Sequence, residues 1–131
     1  AASTDQTPIE VWKSPFCTCC EHWVTHLRDN GFKVSANDTR SAALDQIKRQ
    51  AGIGEKIASC HTAKIEGYVI EGHVPAPDIK RLFAERPDAL GLAAPGMPMG
   101  SPGMEQPDGE KESYDVLLVK KDGSTGVFAK H

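Results

Sequence analysis

Three of the four cysteines crowd into Cys17-Thr18-Cys19-Cys20, and the fourth, Cys60, stands 40 residues on, directly before His61. Structural disulfides stabilise by closing long loops, and cysteines this close in sequence close almost nothing. The cluster therefore points to thiol chemistry. Cys17 and Cys20 form a CxxC, the spacing of a pair that exchanges disulfides or binds a soft metal. The extra Cys19 argues for metal. Adjacent helical residues diverge by about 100°, so Cys19 and Cys20 are expected to ligate different ions rather than chelate one. A thiolate can bridge two Cu(I) ions, so three cysteines in four positions plus Cys60 suit a polynuclear copper-thiolate site better than a single tetrahedral zinc. A structural Cys17–Cys20 disulfide beside two inert thiols is the plain alternative.

The only three methionines, Met97, Met99 and Met104, also sit together. Thioether combined with thiolate selects Cu(I), whereas zinc prefers Cys, His and carboxylate. Met97 and Met99 would project from one side of an extended segment; the competing role is gap-filling over a core. Among the histidines, His61 is either a ligand or a hydrogen-bonded imidazole, and His73 stands equally between ligand and structural roles. His22 and His26 share a helix face. His26, however, falls roughly 9 Å beyond Cys20 along the axis, so it is expected to hold a core hydrogen bond or act behind the ligands. His22 is expected in solvent and terminal His131 disordered.

The elements that must position these groups follow from periodicity. Ile9 to Lys13 alternates like a strand and Ser14-Pro15 ends it. Thr18 with Glu21 reads as a capping box, which makes Thr18 the N-cap and puts Cys19 and Cys20 in the first helical turn, where orphan N–H groups and the dipole favour a thiolate. Trp23, Val24 and Leu27 give that helix an apolar face, and Asn30-Gly31 stops it. Phe32 to Ala36 is a second strand, and Leu44, Ile47 and Ala51 line a second helix. Thr62 to Ile65 and Tyr68 to Ile70 flank Glu66-Gly67 as a hairpin. A third helix opens at Pro77-Asp78 and closes at Pro87. Residues 87 to 113 hold five of the nine prolines and five of the twelve glycines without periodicity and read as one long loop. Tyr114 to Lys120 and Ser124 to Ala129 form a closing hairpin on the two-residue signal Asp122-Gly123.

The chain has 131 residues, 15 Lys+Arg against 18 Asp+Glu, and a net charge of −3. That length fits one domain spanning residues 1–131. The absence of a basic excess argues against nucleic acid or an anionic membrane as partner, and no apolar run is long enough to span a bilayer. The start Ala1-Ala2-Ser3-Thr4, with no initiator Met, resembles what a signal peptidase leaves behind.

The order β-α-β-α-β-β-α with cysteines opening the first helix resembles the thioredoxin fold. More narrowly, Cys17-Thr18-Cys19-Cys20 with Trp23 and His26-Leu27, Ser59-Cys60-His61-Thr62-Ala63, Gly67 to Pro75, and Pro95-Gly96-Met97-Pro98-Met99-Gly100-Ser101-Pro102-Gly103-Met104-Glu105 look like the CopG family of bacterial copper-resistance proteins. The resemblance runs from about Ile9 to Ala129. It implies an α/β fold, with a thioredoxin-like core over residues 9–86 and a C-terminal extension over 87–131, made of the Met loop and hairpin, that helps bind copper. It also implies a periplasmic location and a redox role in handling Cu(I) and Cu(II). Met97 and Met104 match the family's loop, and His73 falls in a matched motif. General thioredoxins carry a cis-proline ahead of the third strand; Cys60-His61-Thr62-Ala63 has no proline, which counts against disulfide exchange on protein substrates.

The resulting expectation is a monomeric periplasmic copper protein. Cys17, Cys19, Cys20, Cys60, Met97, Met104, His61 and His73 are its candidate ligands for more than one copper ion, with His26 behind them and copper efflux or carrier proteins as partners. Two rivals stand beside it. One is a metal-free thiol-disulfide oxidoreductase with Cys17 as nucleophile and Cys20 as resolving thiol; the other is a copper chaperone or storage module without turnover.

Overall fold

A computed structural model of the chain describes residues 7–54, 57–96 and 98–131. The expectations placed on Ala1 to Thr4 and on Met97 lie outside the described residues. Strands β1 (Thr7–Lys13) and β2 (Phe32–Asp38) run parallel, as strands joined through helix α1 (Thr18–Asp29) must. Helix α2 (Ser41–Gln50) then leads to the antiparallel hairpin β3 (His61–Ile65) and β4 (Tyr68–Gly72), with β3 also antiparallel to β1. Glu66 and Gly67 both take positive φ, 49° and 84°, the requirement of the tight turn expected there.

Helix α3 (Ala76–Glu85) crosses to strand β5 (Gly91–Ala94), which lies parallel to β4. This strand sits inside the segment read as uninterrupted loop. Its residues are buried on both faces, so no polar alternation marks it. Gly91 is required there, since a Cβ would fall 1.7 Å from the Val69 carbonyl oxygen. Strands β6 (Asp115–Val119) and β7 (Thr125–Lys130) complete one mixed α/β sheet of order β2-β1-β3-β4-β5-β6-β7. The last hairpin closes through three residues rather than two: Gly123 stands at φ 89° and the Lys120 N–H donates to the Ser124 carbonyl. His131, expected to be disordered, is instead fixed. Its backbone pairs in both directions with Tyr114, its ring stacks on Tyr114 at 5.0 Å, and its Nε2 lies 2.7 Å from Asp78.

Strand alternation sends side chains to two faces of the sheet. The larger core joins Trp23, Val24 and Leu27 of α1 and Ile79, Leu82 and Phe83 of α3 to the sheet residues Val11, Ala63 and Ile70. A smaller cluster of Ala51, Ile53 and Val69 lies on the α2 side. The consequence for the site is geometric. His61 and Thr62, adjacent in β3, open onto different faces, and the cysteine end of α1 meets the first of them.

Candidate metal centre

Cys17, not Thr18, is the N-cap of α1. Its backbone is extended, and its sulfur accepts from the Cys20 N–H at 3.3 Å. The expected capping box fails because Glu21 is drawn elsewhere: Lys13, itself 1% exposed, needs carboxylate partners and finds Glu21 at 2.5 Å and Asp38 at 2.6 Å. Those partners hold the Lys13 ammonium above its ordinary pKa despite burial, which pulls it down. The pair ties the first turn of α1 to the end of β1.

Cys17 and Cys20 are joined as a disulfide with Cα atoms 5.3 Å apart. The Cys19 sulfur lies 3.3 Å from that of Cys17 and 4.0 Å from that of Cys60. All four sulfurs fall within 4.8 Å of one another. The expected divergence of Cys19 from Cys20 is therefore overcome. Helical Cα–Cβ bonds lean toward the N-terminus, so in the first turn both sulfurs reach past the helix end and converge there.

Cys60 is shared with a second donor group. His73 Nε2 approaches its sulfur at 3.1 Å and His61 Nδ1 at 3.3 Å. His61 is fully buried, stacked on Trp23 at 4.1 Å, and its Nε2 donates to the Gly72 carbonyl at 2.8 Å. A carbonyl only accepts, so the proton sits on Nε2 and the Nδ1 lone pair faces Cys60 and, at 3.4 Å, Cys20. Metal-ligating imidazoles are typically oriented by such a second-nitrogen bond. Burial drives the His61 pKa down to about 3, and the neighbouring His73 adds to this. Burial also lowers His73, against the Pro102 backbone and Glu105. Both rings are thus neutral, the form that ligates. As a metal-free thiol, Cys60 is pushed up to about 12 by burial and then by Cys19, and a bound cation would reverse that.

Behind Cys60 stands a buried polar group. Glu71, with no exposed surface, pairs with Lys48, accepts the Thr62 hydroxyl at 2.6 Å, and accepts the Ser59 N–H at 2.8 Å. Burial raises the Glu71 carboxyl above its ordinary pKa, against Lys48 and the other donors. The Ser59 hydroxyl donates to the Gly96 carbonyl, so the residue before Cys60 is fastened both to β4 and to the start of the Met loop. That loop closes on the site at Gly103. A Cβ there would lie 2.6 Å from the Cys19 carbonyl oxygen and 3.1 Å from the His73 ring, and its φ is 100°. Only glycine lets the backbone come so close.

Of the residues singled out by the sequence, Cys17, Cys19, Cys20, Cys60, His61 and His73 are brought together. Met104 is half-buried in the same loop, its carbonyl accepting from the Gly100 N–H, and Met99 is 39% exposed. His26 holds the core hydrogen bond expected of it, its Nε2 accepting the Ala76 N–H at the start of α3. Burial lowers its pKa accordingly. His22 is exposed as expected. Of the supporting residues, Trp23, Ser59 and Glu71 lie in the matched motifs but carried no role at the site, and Lys48 was not singled out. A surface concavity of about 640 Å³, lined by Pro8, Glu10, Ser35 and Lys64 among others, lies at the opposite ends of β1 and β3. The site is a packed cluster of donors and not a cleft.

Two solved structures, named "Copper resistance protein copG- Form 1" and "Copper resistance protein copG- Form 2", match with a TM-score of 0.88 and 40% sequence identity. The matches cover 97% of this chain and 98% and 99% of theirs. The chain belongs to the CopG family. Residues 57–104 also match a family model described as "Protein of unknown function, DUF411". In this CopG-family chain that segment holds Cys60, His61, His73, Ser59, Glu71 and the Met loop, so it carries half of the donor cluster and part of its support. No curated protein sequence matches the chain. Among the described residues no helix is long and apolar enough to cross a membrane.

Proposed function

We propose that this chain is a periplasmic copper protein of a copper-resistance system, holding more than one copper ion on bridging thiolates and interconverting Cu(I) and Cu(II). The observation that carries this reading is the pair of donor groups sharing one sulfur: four cysteines in one, and Cys60, His61 and His73 in the other. A shared thiolate with soft and imidazole donors on either side is the arrangement of a bridged Cu(I) site. His73 turns its Nε2 toward the shared sulfur at 3.1 Å, which adds an imidazole donor on that side. The names of the related structures agree with it.

In this reading residues 1–131 form one domain. The strand order β2-β1-β3-β4, with α1 and α3 packed on one face and α2 on the other, supports a thioredoxin-like core over residues 9–86. The 87–131 extension supplies a lid whose Met97 and Met104 add thioether ligands. The protein acts as a monomer and passes copper to efflux or carrier proteins.

The test is an anaerobic Cu(I) titration of the reduced protein against a chromophoric chelator, with metal per chain counted after desalting and the series repeated with Zn(II). More than one retained copper, unchallenged by zinc, is expected. No retained copper would reject the reading. The Cys17–Cys20 disulfide favours a second reading, a metal-free thiol-disulfide oxidoreductase. Insulin reduction, with a mixed disulfide trapped by Cys20→Ser, would establish it.

A further inference from the structure

The open sheet ends in two strands that have a neighbour on one side only, β2 and β7. Such an edge offers a row of unpaired N–H and C=O groups to any other strand. Alternation along each strand says which groups these are. The Thr39 N–H bonds inward to the Lys13 carbonyl, so Val34 turns its backbone outward; His131 pairs inward with Tyr114 in both directions, so Phe128 turns outward too. Each of these two carbonyls, near the middle of its strand, is taken by an arginine. Arg28 Nη2 of α1 donates to the Val34 carbonyl at 3.0 Å, and Arg81 Nη1 of α3 donates to the Phe128 carbonyl at 2.6 Å. Arg81 is the more firmly placed: its Nε lies 2.5 Å from Glu85, and its guanidinium lies 4.0 Å from the centre of the Phe128 ring. Phe128 is also a bulged residue, without a register partner between the pairs Val116–Ala129 and Leu117–Val127, and a bulge bends an edge out of line for pairing.

The two edges differ in what they would attract. Strand β2 carries charges at Lys33 and Asp38, which discourage pairing. From Thr125 to Ala129 strand β7 has none, and Val127 is 53% exposed. An uncharged segment containing Val and Phe is the kind that adds to its own copy. Antiparallel pairing of β7 with β7 about a two-fold axis would use one strand from each chain and close after two chains. We propose that Arg28 and Arg81 plug the two edges of this sheet, and that Arg81 keeps β7 from pairing with β7 of a second copy. The inference stands apart from the copper reading and uses none of the donor residues.

The test is the mass of the full chain as concentration rises, read by sedimentation equilibrium. The protein is metal-free and kept reduced with a phosphine, so that neither copper nor disulfides join chains. The original chain should stay at the mass of one chain. Arg81→Met keeps an apolar stem on Phe128 and removes the donors; it should reach at least twice that mass. The Ser124 carbonyl bonds inward to Lys120, so the Val127 N–H faces out, and its hydrogen exchange should slow roughly tenfold or more on association. Adding Val127→Lys puts a charge on the edge and should return the variant to one chain, which a mere loss of stability would not do. Arg28→Met, on the charged edge, should shift the mass less. Circular dichroism checks folding. Should Arg81→Met not fold, Arg81→Lys, which loses the fork that reaches Glu85 and Phe128 together, carries the same expectation. A folded Arg81 variant that stays at one chain would overturn the proposal, as would association that leaves Val127 exchanging as before or that persists with Val127→Lys. A larger shift in Arg28→Met would overturn the choice of β7. An original chain that already associates with Val127 protected would show that the plug does not keep the edge closed.

Discussion

The hairpin of β3 and β4 carries a buried polar cluster on each face, and the two are built to opposite rules. On the α2 side, Lys48, Glu71, Thr62 and the Ser59 N–H satisfy one another completely. On the α1 side, Cys60, His61 and His73 crowd within ligand distance, and His73 Nδ1 is the one buried side-chain nitrogen or oxygen without a hydrogen-bond partner among the described residues. A buried polar network that is fully paired gives rigidity, and one left short of a partner costs stability; here the donors that converge on Cys60 are kept although they leave His73 Nδ1 short. The first cluster is architecture, and the second is chemistry held in place by it.

Breaking the architectural cluster should have the largest effect. Glu71→Leu leaves the Lys48 ammonium buried with only the Thr62 hydroxyl at 3.0 Å, and removing one partner of a buried pair costs about 3–5 kcal/mol. Replacing both, Lys48→Met with Glu71→Leu, should recover most of that loss. Urea denaturation of the metal-free protein measures each variant. Equal losses in the single and the double variant would mean that the pair is not the unit of stability.

The two clusters also differ in how far sequence reveals them. The cysteine motif is local, and strand alternation with Cys60-His61 entering β3 brings the donors to one end of α1, so Cys17, Cys19, Cys20, Cys60, His61 and His73 are legible. The opposing cluster depends on register and packing: Thr62 faces Glu71 across the hairpin and meets Lys48 of the preceding helix, which only the docking of α2 on the sheet brings there. One signal was present, because Lys48 stands on the apolar stripe of Leu44, Ile47 and Ala51, where a solvated lysine does not belong. Strand β5 was hidden by its proline- and glycine-rich surroundings and by burial on both faces. The fixing of His131 needs the β6–β7 pairing and Asp78 on α3, neither of which is local. The Cys17 cap was missed because the demand of Lys13 for Glu21 is a tertiary effect that outweighs a local motif.

The clusters should respond to acid with opposite signs, a smaller effect. His61 is depressed from 6.5 to about 3, and His26 and His73 are lowered too. The unfolded chain then binds more protons than the native one below pH 6.5, so this stability is present above that value and is lost as pH falls toward 3. Glu71 is raised above 4.5. Its contribution is present below that value and is lost as pH rises through its folded pKa. Between pH 7 and 5 His61 alone should lower stability by about 2 kcal/mol, with His26 and His73 adding in the same direction and Glu71 working against them. Urea midpoints at the two pH values, in the original chain and in the Lys48→Met, Glu71→Leu double variant, separate the two. A drop no larger in the double variant would show that Glu71 does not oppose the histidines.

The smallest effect on stability should come from the residue with the most to do. His73→Phe keeps a planar ring under Gly103 and removes the unpartnered nitrogen along with the Nε2 contact to Cys60. Replacing an unsatisfied polar group by an apolar one of similar shape is nearly neutral, so metal-free stability should stay within about 1 kcal/mol of the original. Retained Cu(I), by contrast, should weaken by at least the roughly 10–100-fold that losing even an outer-shell partner costs a metal site. Denaturation and the anaerobic chelator competition, run on the same preparation, read the two quantities separately. A variant that loses several kcal/mol while holding copper as before would reverse the assignment: His73 would be architecture, and its bare nitrogen a cost of packing beneath the loop.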